Sequence, residues 1–340
     1  KSGNGSQHVA HRIPEKNHLV FRLAGHPNPS QTVNVGVSAL SRNLLDLWAK
    51  EHQEKFTDLV PFRTVWQHGG AATAWVKCVE TQRDGMVKLP VKAWERRWHR
   101  RIRESRDPDL APDLFAIGDT IGNVDFAWIV MERIQGNPLH QVPDAHSVEQ
   151  ACEAFARFQK ASRPFAVQRR PAPAGWLKQI EQTRKSLQAL PQDLAVSWRD
   201  ALDALAKYHD EAIAAWRYRP IKGWVHGDAH LGNILRTEQD VVHLIDFAEV
   251  RAGHWVEDAI ALERPLWQRP ELLSNMDPVD MMAGYRRQLG LPVRAEDGRL
   301  AAIRRTLLAA TAPAWSRTEG GFSGLRSTLK VLEQGLREIH

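Results

Sequence analysis

Eight residues constrain this chain more than any others. His226-Gly227-Asp228-Ala229-His230-Leu231-Gly232-Asn233 lies between two short β-patterned runs, Gly223 to Val225 and Ile234 with Leu235. Thirteen residues after Asn233 comes Asp246, inside Val241-Val242-His243-Leu244-Ile245-Asp246-Phe247. Polar residues on a loop pinned by a strand at each end are held close together. The pattern therefore predicts a β insert, from Trp224 to about Phe247, inside an otherwise helical half of the chain.

The residue types point to a chemistry. Asp228 suits orienting a hydroxyl and taking its proton. Asn233 and Asp246 offer oxygen to a hard cation such as Mg²⁺, which prefers oxygen ligands. Phosphoryl transfer asks for both functions. A zinc site is the rival, since His226 and His230 are four apart with Asp228 between. That spacing brings two His together only on a helix, and Gly227 in a turn between strands argues against one. The sequence carries neither a G-x-S-x-G elbow nor a Walker A loop.

The texture along the chain divides it. Residues 1 to about 40 are rich in Gly, Asn, Ser, His and Pro and show little periodicity, which reads as an irregular lead-in. A helical pattern follows from Asn43 to about Lys50. Three consecutive antiparallel strands are expected over 62–67, 73–79 and 86–91, then a basic helix over 93–105, then strands over 114–117 and 127–131. After Gly136 the pattern turns helical. Ser147 with Gln150 reads as a capping box, ahead of Val148, Ala151, Cys152, Phe155 and Phe158 at helical spacing. One long helix is expected from Ala195 to Trp216, closed by Pro220. Asp277 with Pro278 starts another helix, and two more cover 296–310 and 323–339. The result is an α+β chain: a small β-rich half, a larger helical half, and a ligand cleft between them.

The segment H-G-D-x-H-x-x-N followed by I-D-F resembles the catalytic and metal-binding motifs of the aminoglycoside phosphotransferases and choline kinases. It is similar to the H-R-D-x-x-x-x-N and D-F-G pair of protein kinases, with the same Asp-to-Asn and Asn-to-Asp spacings. Gly227 and Ala248 depart from the protein-kinase pattern, and both departures favour the small-molecule branch. No A-P-E segment follows Asp246. The resemblance covers roughly residues 60–265. It implies a two-lobed protein kinase-like fold: an N-terminal extension over 1–55, a nucleotide-binding lobe over 56–134, and a catalytic and acceptor-binding lobe over 135–340. It implies ATP and Mg²⁺ as cofactors, with Asp228 as catalytic base and Asn233 and Asp246 on the metal.

Other site residues follow from the same resemblance. Lys88 on the third strand becomes the phosphate-binding lysine, preferred to Lys77. Its carboxylate partner is Glu95 on the following helix, preferred to Glu104. Gly69 and Gly70 join the first two strands, where bare backbone can approach phosphates. The run Ala127 to Leu139 resembles the hinge, so backbone near Glu132 and Ile134 would bond adenine. Asp258 resembles the Asp that braces the catalytic loop. His226 reads as structural.

Bulk properties exclude more than they assign. No apolar run approaches the length of a membrane span. Net charge is +6, yet no nucleic-acid-binding pattern accompanies it. Two cysteines, Cys78 and Cys152, are too few for a disulfide framework and suit a reducing, cytoplasmic setting. Residues 254–340 hold eleven Asp and Glu against twelve Lys and Arg. A polycationic aminoglycoside needs an acidic pocket, so a neutral or anionic polyol, sugar or amino-alcohol is the expected acceptor. The competing class is a catalytically inactive nucleotide-binding module; retention of Asp228, Asn233 and Asp246 opposes it.

Overall fold

Helix α1 (Ala39–His52) begins where Ser38 accepts the Ser41 N–H at 3.1 Å. It buries Leu45 and Trp48, three residues apart, on one face. The structure, a computed structural model, describes residues 38–63, 70–105, 107–141, 143–167, 171–172, 174–273, 276–315 and 322–339. Five antiparallel strands follow: β1 (Phe56–Phe62), β2 (Ala72–Cys78), β3 (Asp84–Leu89), β4 (Leu114–Ile121) and β5 (Val124–Glu132). They order as β1-β2-β3-β5-β4. Burial alternates along β2 and β3, as the pleat requires. Trp48 packs edge-on to Trp128 of β5, so α1 closes one face of this sheet.

The first strand lies earlier than the sequence pattern predicts. It ends at Phe62, and residues 64–67 fall outside the described residues. Pro61 disguises the run, since proline disqualifies a central strand. β1 is an edge strand, where a missing N–H is tolerated.

Helix α2 (Ala93–Arg103) connects β3 to β4. Its apolar stripe does not join the sheet core formed by Val87, Leu89 and Val130. Trp98 and Ile102 enter the larger core instead, with Phe155, Phe158 and Phe247. Trp94 Nε1 donates to Val250 O, and Lys92 meets Glu249 at 3.0 Å. The helix is thereby fastened to the half of the chain that carries residues 226–233.

That half is helical around a small β insert. β6 (Gly136–Pro138) precedes α3 (Ala145–Ser162). The α3 cap is Asp144, not Ser147: Asp144 Oδ1 accepts from Ser147 N at 2.7 Å and from its hydroxyl at 2.6 Å. Ser147 is therefore the N3 residue, and the Asp three places upstream takes the capping role with extended backbone. Helix α4 (Trp176–Ser186) comes next. The single helix expected over 195–216 is two, α5 (Gln192–Ala206) and α6 (His209–Tyr218). Leu202 and Leu205 of α5 belong to the large core, whereas Ala212 and Trp216 of α6 pack against Ile303 and Leu307. One straight helix cannot serve both, and His209 Nδ1 on Ala206 O, at 2.8 Å, marks the break.

The insert comprises β7 (Gly223–Val225), β8 (Ile234–Thr237), β9 (Val242–Leu244) and β10 (Arg251–Gly253). β7 pairs with β10, while β8 lies between β6 and β9. Helices α7 (Val256–Glu263), α8 (Pro278–Gln288), α9 (Asp297–Ala310), α10 (Ala312–Trp315) and α11 (Ser323–Ile339) complete the chain. Asp277 caps α8, as its sequence predicts, by accepting from Val279 N at 2.7 Å. Among the described residues, no helix is long and apolar enough to cross a membrane.

Candidate active site

The loop between β7 and β8 is held from beneath by one carboxylate. Asp258, fully buried on α7, accepts from His226 N at 3.0 Å and Gly227 N at 3.1 Å. Gln159 Nε2 adds a third bond at 3.1 Å. Gly227 takes φ +83°, and a Cβ there would stand 2.1 Å from Glu249 O. Only glycine suits a left-handed backbone this close to another main chain. His226 is buried against Phe155, Phe158 and Phe247 and donates from Nε2 to Ile245 O at 3.1 Å. Burial holds its pKa down. It locks the loop to the Asp246 segment, and Ile245 N returns a bond to Asn233 O at 3.0 Å.

Asp228 has two unlike oxygens. Oδ2 accepts from Asn233 Nδ2 at 3.0 Å and lies 3.5 Å from His230 Nε2. His230 Nδ1 accepts the Gly232 N–H at 3.0 Å, which leaves the ring proton on Nε2, toward Asp228. Oδ1 makes no hydrogen bond among the described residues. Burial opposes ionisation of Asp228, but the bonds from His230 and Asn233 outweigh it and keep the carboxyl below the ordinary carboxylate range. It is therefore a carboxylate at neutral pH. Asn233 Nδ2 also reaches Asp228 O at 2.9 Å. With its amide nitrogen committed, Asn233 keeps Oδ1 as an oxygen that could take a cation.

Asp246 sits at φ 62°, ψ 71°, a left-handed conformation uncommon for a residue with a Cβ. Such strain costs about 1–3 kcal/mol and persists where the surroundings fix it. Its Oδ1 lies 3.4 Å from Lys88 Nζ, and Lys88 donates to Glu95 Oε1 at 2.6 Å. Burial raises the Asp246 pKa, yet Lys88 and His226 bring it below the usual value. Burial likewise works against the Lys88 cation, and Asp246 with Glu95 reverses that, so its pKa is raised.

The register explains why Lys88 rather than Lys77 reaches this point. Lys88 stands between Thr73 and Ile129 on a central strand, whereas Lys77 pairs with Asp84 at the opposite end of β2. Glu95 is 2% exposed on the inner face of α2. Glu104 is the C-cap residue of that helix and makes no bond to Lys88.

The remaining sequence-derived residues are more loosely connected to this cluster. Gly69 lies outside the described residues. Gly70 is described, and a Cβ added to it would meet nothing within 4 Å, so packing does not require glycine there. Glu132 gives its N–H to Asp113 O at 2.8 Å and its side chain to Arg83 at 2.5 Å. Ile134 backbone makes no hydrogen bond among the described residues. His226 and His230 do not converge as a zinc pair: His226 is fully buried among Phe155, Phe158 and Phe247, while His230 Nε2 faces Asp228. No cluster of three His, Cys, Asp or Glu that fits a metal exists among the described residues. The donors that do fit a cation are the Asn233 amide oxygen and the ionised Asp246, an oxygen set suited to Mg²⁺. Sequence reading missed the His230–Asp228 contact; the two-residue spacing between them is its only trace.

A small antiparallel lobe carrying a lysine–glutamate pair, set against a helical lobe carrying Asp228, Asn233 and Asp246, is a protein kinase-like fold. Residues 52–276 match the sequence profile of the phosphotransferase enzyme family, APH, and the chain belongs to that family. Among solved structures it is similar to the aminoglycoside phosphotransferase of Alicyclobacillus acidocaldarius, at 18% identity and TM-score 0.58, over 83% of this chain and 91% of that one. A putative aminoglycoside phosphotransferase from Ralstonia eutropha matches at 14% identity and TM-score 0.53, over 88% and 98%. A spectinomycin phosphotransferase, solved with ADP and spectinomycin, matches at 12% identity and TM-score 0.53, over 88% and 97%. These likenesses are of fold. No curated protein matches the sequence.

Proposed function

We propose that this chain transfers the γ-phosphoryl group of ATP to a hydroxyl of a small-molecule acceptor. One observation carries the reading: Asp228 is held by Oδ2 alone, with Oδ1 open, beside a separate carboxylate paired to a half-buried lysine. Asp228 orients the acceptor hydroxyl and takes its proton as the new bond to phosphorus forms. The His230 and Asn233 bonds fix the carboxylate plane, so the open oxygen is already aimed before the acceptor arrives. Lys88, steadied by Glu95, contributes a cation to the phosphates, with Gly69 and Gly70 covering them. Asn233 Oδ1 and Asp246 would hold Mg²⁺, which supplies neutralisation of phosphate charge. Adenine offers one donor and one acceptor on its edge; the Glu132 carbonyl and the Ile134 N–H are the complementary pair.

The three segments divide accordingly: residues 1–55 as an extension, 56–134 around the nucleotide and 135–340 around catalysis and the acceptor. The acceptor is a neutral or anionic polyol, sugar or amino-alcohol, from the balanced charge of residues 254–340. The test is ADP release measured with and without Mg²⁺ across sugars, choline, homoserine, kanamycin and gentamicin. Mg²⁺-dependent turnover of a non-aminoglycoside hydroxyl is expected. Absence of ADP release with every acceptor would favour an inactive nucleotide-binding module. Efficient turnover of kanamycin or gentamicin would overturn the acceptor class.

A further inference from the structure

At the start of β7, at the end remote from Asp228, lies a cavity of about 130 Å³. That is the space of about four water molecules at ~30 Å³ each. Arg163, Lys222, Arg286 and Arg294 line it against one carboxylate, Asp297. Arg294 also meets Glu296 at 3.4 Å, so four cations against two carboxylates leave two positive charges in excess. None of Asp228, Asn233, Asp246 or Lys88 touches it, so it is distinct from the phosphoryl-transfer site and does not depend on that reading.

Arg286 is the buried member, 7% exposed, while the other three cations are exposed around it. Its hydrogen-bond partners are neutral, and the carboxylates of Asp297 and Asp258 act on it only through their charge. Nη1 donates to Gln159 Oε1 at 2.5 Å and Nη2 to Pro292 O at 2.9 Å, and the guanidinium stacks over Trp255 at 5.1 Å. Nε is enclosed and has no acceptor among the described residues. Burial lowers its pKa to about 10, which leaves it charged at neutral pH. Asp297 does not neutralise the group by an ion pair. Its Oδ2 accepts from Trp255 Nε1 and Arg294 N, each at 2.9 Å, and its Oδ1 faces His254 Nε2 at 3.3 Å. A buried cation whose hydrogen-bond partners are all neutral is costly, and cations converging on one cavity are the ordinary means of holding a phosphate.

We propose that this cavity binds a dianionic phosphate group, either inorganic phosphate or the head of a small phosphate monoester. An excess of two positive charges matches a dianion better than a single carboxylate, and Arg286 is the buried cation in the lining.

The experiment is thermal unfolding of the full chain with about 5 mM inorganic phosphate, glycerol phosphate or succinate at matched ionic strength. That concentration keeps general salt exclusion small. Both phosphates should raise Tm by about 2–5 °C, and succinate should not. A rise with inorganic phosphate alone would narrow the ligand to the free ion, and one with glycerol phosphate alone to the esters. The rise should survive Lys88→Ala, which removes the other phosphate-binding cation. It should vanish in the Lys222→Ala, Arg294→Ala double variant, whose exposed positions leave the fold intact. No rise with either phosphate, an equal rise in the double variant, loss of the rise in Lys88→Ala, or a rise with succinate alone would each overturn the proposal.

Discussion

Asp228 and Asp246 belong to neighbouring loops of one β insert, yet they are held by different physics. Asp228 is fixed by hydrogen bonds, from Asn233 Nδ2 and the His230 ring, on a loop whose backbone hangs from Asp258. Asp246 is fixed by charge, across the two halves of the chain, through Lys88 and its partner Glu95. A carboxylate held at one oxygen by small dipoles keeps the other for an incoming proton. A carboxylate paired to a cation has its negative charge where further positive and negative groups are to be organised. On the function proposed above, Asp228 would serve the acceptor and Asp246 the nucleotide.

The largest expected effect bears on the first half of that comparison. Asp228→Asn keeps the shape and removes the base, so turnover should fall about 10²–10⁴-fold with any acceptor found. Comparable turnover would end the assignment. Lys88→Ala should raise the Michaelis constant for ATP and lower turnover, whereas Lys77→Ala should leave both near the native values. Reversed behaviour would break the link between Asp246 and the phosphates. Gly227→Ala forces a Cβ against Glu249 O at a positive φ; it should lose more than about 1 kcal/mol in denaturant melts. An unchanged midpoint would mean the loop is not pinned as described.

A smaller effect concerns the ground beneath the loop. Glu257 is fully buried; burial raises its pKa, but Arg251 and Arg219 overcome this and bring it down to about 2. A depressed folded pKa gives stability that is present above the unfolded value, about 4.3, and lost as pH falls toward 2. Unfolding measured from pH 6 to pH 2 should show this loss, and Glu257→Gln should flatten it. A variant with the native acid limb would remove the Arg–Glu–Arg contact from the account.

How far the sequence foretells all this depends on whether a signal is local. The strands around Asp228, the cap at Asp277 and the helix carrying Glu95 depend on neighbours in the chain, and their patterns are readable. The α5–α6 break is not, because both helices are apolar on one side and only the separate cores they join bend the path. β1 hides behind Pro61 until its edge position is known. The Asp144 cap was obscured by Ser147, an equally suitable residue three places later. In the site, residue types indicate a carboxylate, an amide and a lysine. They do not reveal that Asp228 Oδ1 stays open, or that Asp246 adopts a left-handed backbone. Those depend on contacts between residues up to 158 positions apart, such as Lys88 with Asp246.

The division of labour between the two carboxylates is tested most directly by calorimetric titration of Mg·ATP into Asp228→Asn and Asp246→Ala side by side. Asp228→Asn should bind within about twofold of the native chain, since its carboxylate serves the acceptor. Asp246→Ala should bind at least about tenfold more weakly and lose its dependence on Mg²⁺. Equal weakening in both variants, or weakening in Asp228→Asn alone, would contradict the account.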